Sequence, residues 1–162
     1  MEQIEVNVYE YLPTLRKLLN VSGFTKLIGK SIVWFNNKES KSQAFERIPN
    51  GFTEDNVELI NYGLEKVVAA CEKHRLQPPS ECPNREIYNK YVGTELKGLR
   101  KLVDMVYLRE NYTDIPQSSW NKKINNFANR GTVSQFTETD IQQINHGIDK
   151  VAELLRSIKV TL

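Results

Sequence analysis

Apolar positions fall at helical spacing in four stretches of the first half of the chain and in four more of the second. Val8, Leu12, Leu15, Leu18 and Leu19 mark a first helix over 8–19, with Pro13 as a first-turn residue or a boundary. A short second helix, 22–28, is stopped by Gly29, and Ser31 caps a third that passes through Trp34 toward Lys38. Residues 39–51 read as irregular, with Pro49, Asn50 and Gly51 as turn residues. Thr53 caps a long fourth helix, its hydroxyl able to accept an orphan backbone N–H, and Glu54-Asp55 suit the positive end of the helix dipole. Val57, Ile60, Leu64, Val67 and Cys71 form the buried stripe of that helix. The second half repeats the scheme over 85–103, 106–112, 117–127 and 137–158, the last helix turning Ile141, Ile144, Ile148, Val151 and Leu155 inward. No stretch keeps a convincing strand period. Val106-Tyr107-Leu108 is too short, and the alternating 158–162 reads as a frayed helix end. The pattern predicts an all-α protein.

The two halves share more than a pattern. Leu15-Arg16-Lys17-Leu18-Leu19 returns as Leu99-Arg100-Lys101-Leu102-Val103, and Phe52-Thr53-Glu54 returns as Phe136-Thr137-Glu138. Ile60-Asn61, Gly63, Lys66 and Val67 return as Ile144-Asn145, Gly147, Lys150 and Val151, all at an offset of 84 residues. Trp34 matches Trp120 at 86, so the middle of the repeat has drifted. This predicts two tandem four-helix domains, 1–76 and 85–162, joined by a proline-rich, semi-rigid linker at 77–84. Domains this small bury thin cores and lean on each other. The matched Gly63 and Gly147 lie inside the fourth helices, where glycine costs about 1 kcal/mol relative to alanine. A close neighbour on that face would account for both.

Net charge, +2, adds little, but its distribution adds more. No acid occurs from Tyr11 to Lys38 or from Ile115 to Thr137, and both zones carry lysine or arginine. The middle of each repeat is thus a cationic zone of the kind that attracts phosphate, which also fits a solvated lysine face. Cys71 sits on an apolar stripe and reads as an inert core thiol, and neither it nor Cys82 has metal-ligand company. Neither a signal-peptide pattern nor an apolar run of membrane-spanning length is present, so a soluble cytoplasmic protein is expected.

The short second and third helices of each repeat form a helix-turn-helix pattern. The second copy resembles a poorly characterised family of short bacterial proteins in which Ser-Trp is followed by Lys-Ile-Asn, a polar loop, Phe-Thr-x-Glu and a long helix. Ser119-Trp120, Lys123-Ile124-Asn125 and Phe136-Thr137-Glu138 carry the likeness, the glutamate arriving one place early. The first copy keeps Trp34 and Phe52-Thr53-Glu54 but has Asn36-Asn37-Lys38 in place of the middle signature. More distantly, both copies resemble repressor-type helix-turn-helix domains, which implies third helices that enter DNA grooves.

A recognition helix needs amide and hydroxyl groups for base edges and cations for phosphates. Ser118, Asn121, Lys122, Lys123, Asn125, Asn126 and Arg130 supply that mixture in the second copy. In the first, Lys26, Lys30, Ser31, Asn36, Asn37, Lys38 and Lys41 do so. Trp34 and Trp120 read as core plugs beneath the third helices, and His146, which stands where the other copy has Tyr62, as a half-buried packing residue. No phosphate loop, zinc spacing or nucleophile elbow occurs, so neither an enzyme nor a cofactor nor a small-molecule substrate is expected. The expected partner is double-stranded DNA, bound by the two copies as a pseudo-dimer. The alternative is a non-enzymatic protein-interaction or scaffolding module, and neither reading involves a membrane.

Overall fold

The computed structural model describes residues 2–44, 51–126, 128–129 and 132–162, without the side chains of 41–44, 128–129 and 132–133. Among these residues the chain is mostly helical, with eight α-helices: α1 (Val8–Leu18), α2 (Val21–Leu27), α3 (Ile32–Ala44), α4 (Glu54–Lys73), α5 (Arg85–Arg100), α6 (Met105–Tyr112), α7 (Gln117–Ile124) and α8 (Glu138–Arg156). A 3-10 turn, Pro79–Glu81, lies between α4 and α5. Polar caps start most of these helices. Asn7, Asn20, Asn84 and Asp104 each accept backbone N–H groups of the first turn of α1, α2, α5 and α6. Thr53 and Thr137 close full capping boxes with Asn56 and Asp140, so the two longest helices start alike. Three helix ends lie furthest from expectation, the first being that of α5, which stops at Arg100 rather than 103. The α3 helix runs on to Ala44 through what reads as irregular sequence, and α7 stops at Ile124, where Asn126 adopts a left-handed φ of 53°.

The mostly helical character expected is present, and only the reading of no strand needs correction. Strand β1 (Ile4–Asn7) pairs in parallel with β4 (Ile158–Thr161), Ile4 opposite Ile158 and Val6 opposite Val160. The alternation at the C-terminus is therefore that of a strand: Ile158 and Val160 are buried and Lys159 is exposed. Its partner lies at the far end of the chain, where no local pattern could reveal it. A second, very short antiparallel pair joins β2 (Ala128–Asn129) to β3 (Thr132–Val133).

The two halves meet through contacts that recur at the 84-residue offset. Leu19 and Val103 bridge the turns after α1 and α5. Around them the Asn20 N–H donates to the Leu102 carbonyl at 3.0 Å, and the Asp104 N–H donates to the Leu18 carbonyl at 2.9 Å. Approach here is so close that a Cβ on Gly23 would lie 1.6 Å from the Lys101 carbonyl oxygen. Helices α4 and α8 pack together, and each carries an asparagine that clamps the segment following the other. Asn61 donates to and accepts from the backbone of Val160, both at 2.8 Å, and Asn145 does the same to Leu76, also at 2.8 Å. The matched glycines have the expected close neighbours. A Cβ on Gly63 would stand 2.6 Å from Ile28 and 2.7 Å from Phe24, and one on Gly147 would stand 2.9 Å from Tyr112 and 3.0 Å from Leu108. One continuous hydrophobic cluster runs from Val8 to Val160 through both halves.

Asn145→Ala leaves the buried N–H and carbonyl of Leu76 without partners and should lower unfolding stability in urea by about 2–3 kcal/mol. Asn61→Ala, nearer solvent, should cost about half as much, and equal small losses would refute the clamp as drawn. Gly147→Ala should destabilise by about 1–2 kcal/mol, because overpacking against Leu108 and Tyr112 outweighs the roughly 1 kcal/mol gain in helix propensity.

Candidate nucleic-acid interface

Each half places a short helix, a four-residue turn and a second helix where the sequence reads helix-turn-helix. In the first half the turn is 28–31, where Gly29 takes a φ of 74° and the Ser31 hydroxyl accepts the Trp34 N–H at 3.1 Å. In the second half it is 113–116, where the Thr113 N–H and hydroxyl both donate to the Arg109 carbonyl. Helices α3 and α7 begin at Ile32 and Gln117, 85 residues apart and so one residue out of step with the tryptophan match. Phe35, buried edge-on against Phe52, therefore takes the place of Trp120, buried edge-on against Phe136. Trp34 packs on Phe52 from one residue earlier and is only half-buried. Both tryptophans serve packing.

The loop ahead of each long helix is braced differently. The Phe52 N–H donates to the Tyr9 hydroxyl at 2.8 Å, whereas the Phe136 N–H donates to the fully buried Asn89 amide, which also holds the Ser134 carbonyl. Lys123 belongs to this bracing. Its ammonium meets Asp140 of the α8 capping box at 2.5 Å, lies over the Phe136 ring and is largely buried. It is a structural cation rather than a free phosphate ligand.

The remaining candidates divide in two. Lys26, Lys30, Ser31, Asn37, Ser118 and Lys122 are exposed, with the Lys30 ammonium 5.3 Å from the Trp34 ring centroid. Several amides are engaged within the fold. Asn36 accepts from Arg16 at 2.8 Å, Asn121 accepts from Gln117 at 3.0 Å, and Asn125 donates to the Asn121 carbonyl at 2.9 Å. Asn126 donates to the Glu86 carbonyl at 3.4 Å, and Lys38 is half-buried. The side chain of Lys41 and the whole of Arg130 lie outside the described residues. No hydrogen bond, ion pair or ring contact among the described residues joins α3 to α7, and each rests on the phenylalanine of its own half.

Cations on α5 and at its C-cap, which the sequence marks only as part of the repeat Leu99-Arg100-Lys101, also face clefts. Lys101 lines a groove with Lys26, Gly23 and His74, while Lys97 and Arg100 line a cleft with Arg109, Asn121 and Asn125. A helix C-terminus favours basic residues through its dipole, so their presence alone carried no sign of a site. His74 is held by packing on Gly98 and a 2.7 Å contact to Glu95. His146 is exposed beside Tyr112, not half-buried as its interchange with Tyr62 suggests, and Tyr62 is exposed as well. Burial pushes the Cys71 thiol up to about 12, as befits an inert core residue. Among the described residues no group of three His, Cys, Asp or Glu side chains could hold a metal ion, and no helix is long and apolar enough to cross a membrane.

Comparison of the chain with protein-family models, with curated proteins and with solved structures finds no match.

Lysines 122 and 123 should behave oppositely despite being neighbours. Lys123→Ala removes one partner of a largely buried pair and should cost about 2 kcal/mol of stability. Lys122→Ala should stay within about 0.5 kcal/mol of the parent. Thermal unfolding of both variants checks this, and a neutral Lys123→Ala would return that lysine to the candidate interface.

Proposed function

We propose that this chain binds double-stranded DNA as an intramolecular pseudo-dimer of two helix-turn-helix-like units, the product of a tandem duplication. The observation that carries the reading is a set of solvent-facing cations, Lys26, Lys30, Lys101 and Lys122, none in an ion pair among the described residues. They belong to the two helical pairs and to the junction between them. Dimeric helix-turn-helix proteins hold two equivalent helices about 34 Å apart to meet successive major grooves. Here the reciprocal hydrogen bonds around Leu19 and Val103 would do the work of a dimer interface. Ser118 and Lys122 on α7 and Asn37 on α3 are among the exposed polar groups that would be available to bases and phosphates.

A second reading rests on a different observation. Leu27, Ile32 and Val33 leave an apolar patch at the first helical turn, with Val33 62% exposed. The second half has Gln117 and Ser118 in the places of Ile32 and Val33. This favours a protein-interaction role for the first half.

Fluorescence anisotropy against a random-sequence duplex separates the two. Binding should weaken with salt, with a log–log slope of several units, and Lys26→Ala with Lys122→Ala should reduce that slope by about two. Absence of binding at low salt would remove the DNA reading. If Val33→Asp then abolished capture of a protein partner, the second reading would stand in its place.

A further inference from the structure

In the first half, one arginine is neutralised from within. The Arg16 guanidinium lies 5.2 Å from the Phe35 ring centroid, its Nε donates to Glu39 at 3.0 Å, and its Nη2 donates to both Asn36 and the same Glu39 carboxylate. Cation, aromatic face, amide and carboxylate meet between α1 and α3.

In the second half the corresponding residues line one cleft, and no carboxylate is among them. Arg100 stands where Arg16 does, and α7 sets Trp120 and Asn121 in the places of Phe35 and Asn36. Ile124 then occupies the place of Glu39. Two further cations appear, Lys97 in the place of Pro13 and Arg109 in the place of Thr25. Between α5, α6 and α7 a cleft of about 240 Å³ remains, and no acidic side chain lines it. Lys97 and Arg100 have no ion pair among the described residues. Arg109 is largely buried and reaches the Ile115 carbonyl at 3.2 Å and the exposed Glu110, outside the lining, at 3.3 Å. Its Nε–H is buried with no partner. Three cations thus line one cleft, and the buried Nε–H of Arg109 lacks the acceptor it needs; charge-assisted bonds to an arriving anion are strong.

We propose that this cleft binds an anionic group, a carboxylate or a phosphate, in the position that Glu39 fills beside Arg16. The guanidinium of Arg100 supplies the principal contact, Lys97 and Arg109 add charge, and Trp120 and Asn121 provide the wall. The same chemistry could be offered by a small free anion or by a backbone phosphate of a duplex. The assignment is independent of whether DNA binds elsewhere on the protein.

Trp34→Phe leaves Trp120 as the only tryptophan, and its emission reports on the cleft. The full chain carrying that substitution would be titrated with inorganic phosphate, with succinate and with a short duplex, all at constant ionic strength. Free anions should change the emission saturably in the millimolar range, and Arg100→Gln should weaken that response at least tenfold. Ile124→Glu, which supplies an internal carboxylate, should abolish it. Arg100 is exposed, so Arg100→Gln decides the matter even if Ile124→Glu fails to fold. A response to duplex alone, lost in Arg100→Gln, would assign the group to DNA phosphate. No saturable response to any of the three probes, or one that Arg100→Gln leaves unchanged, would overturn the site. Duplex binding seen by anisotropy with a silent Trp120 would overturn the cleft and leave the DNA reading intact.

Discussion

Two backbone hydrogen bonds, Asn20 to Leu102 and Asp104 to Leu18, are the constraint from which most of this architecture follows. Each is made by the residue that caps the next helix, so the turn after α1 and the turn after α5 are held by one another. Backbone groups at helix ends have no intrahelical partners, and burying them at a junction demands that something else satisfy them. Here each half satisfies the other. Because the exchange brings two segments of backbone into contact, a side chain at Gly23 cannot be tolerated against the Lys101 carbonyl. Once these turns are fixed, α2 lies over Gly63 and α6 over Gly147, and α4 and α8 are pressed together along their length.

The asparagine clamps extend the same logic to the far ends of the long helices. Asn61 and Asn145 each spend both amide functions on one backbone unit of the other half, satisfying a donor and an acceptor together. The clamp on Val160 places β4 beside β1, and the clamp on Leu76 fixes the entry to the proline-rich segment. There the Tyr88 hydroxyl then donates to the Gln77 carbonyl at 2.6 Å. Ion pairs across the same interface are more exposed and contribute less. The bidentate pair from Arg75 draws the Asp149 carboxyl below its usual range, yet both side chains are about half exposed and the pair is screened. Hydrogen bonding in buried positions, rather than surface charge, sets how the halves sit.

What was legible in the sequence was whatever depends on nearby residues. Thr53 and Thr137 announced their helices because capping involves groups only three positions apart, and the apolar stripes of α4 and α8 are local periodicities. The glycines at 63 and 147 announced a close neighbour because glycine inside a helix needs a reason. Pairings between distant residues were illegible. The β1–β4 pair joins the two ends of the chain, and five alternating residues after a long helix carry no sign of it. The tryptophan match misled for a different reason. Identity of a large residue suggested an 86-residue offset, whereas helix starts and burial set 85, with Phe35 rather than Trp34 filling the pocket that Trp120 fills. The same slip hid the fate of the candidate site, since Lys123 goes inward to Asp140 and its neighbour Lys122 remains outside.

The corrected register changes what the differences between the halves mean. At 86, Glu39 faces Asn125 and the halves seem merely to have drifted among polar residues. At 85, Glu39 faces Ile124, and the half without that carboxylate is the one in which Lys97 and Arg109 line a cleft with the matching arginine, Arg100. Three cations lining one cleft with no acid among them suit an external anion, whereas Glu39 answers Arg16 from within the fold. The first half shows the opposite trend. Its arginine is internally satisfied, and its helical turn carries exposed Ile32 and Val33 in place of Gln117 and Ser118. One half thus pairs its arginine internally and exposes apolar side chains at its turn, while the other exposes polar ones there and lines a cleft with cations that no acid within the cleft answers.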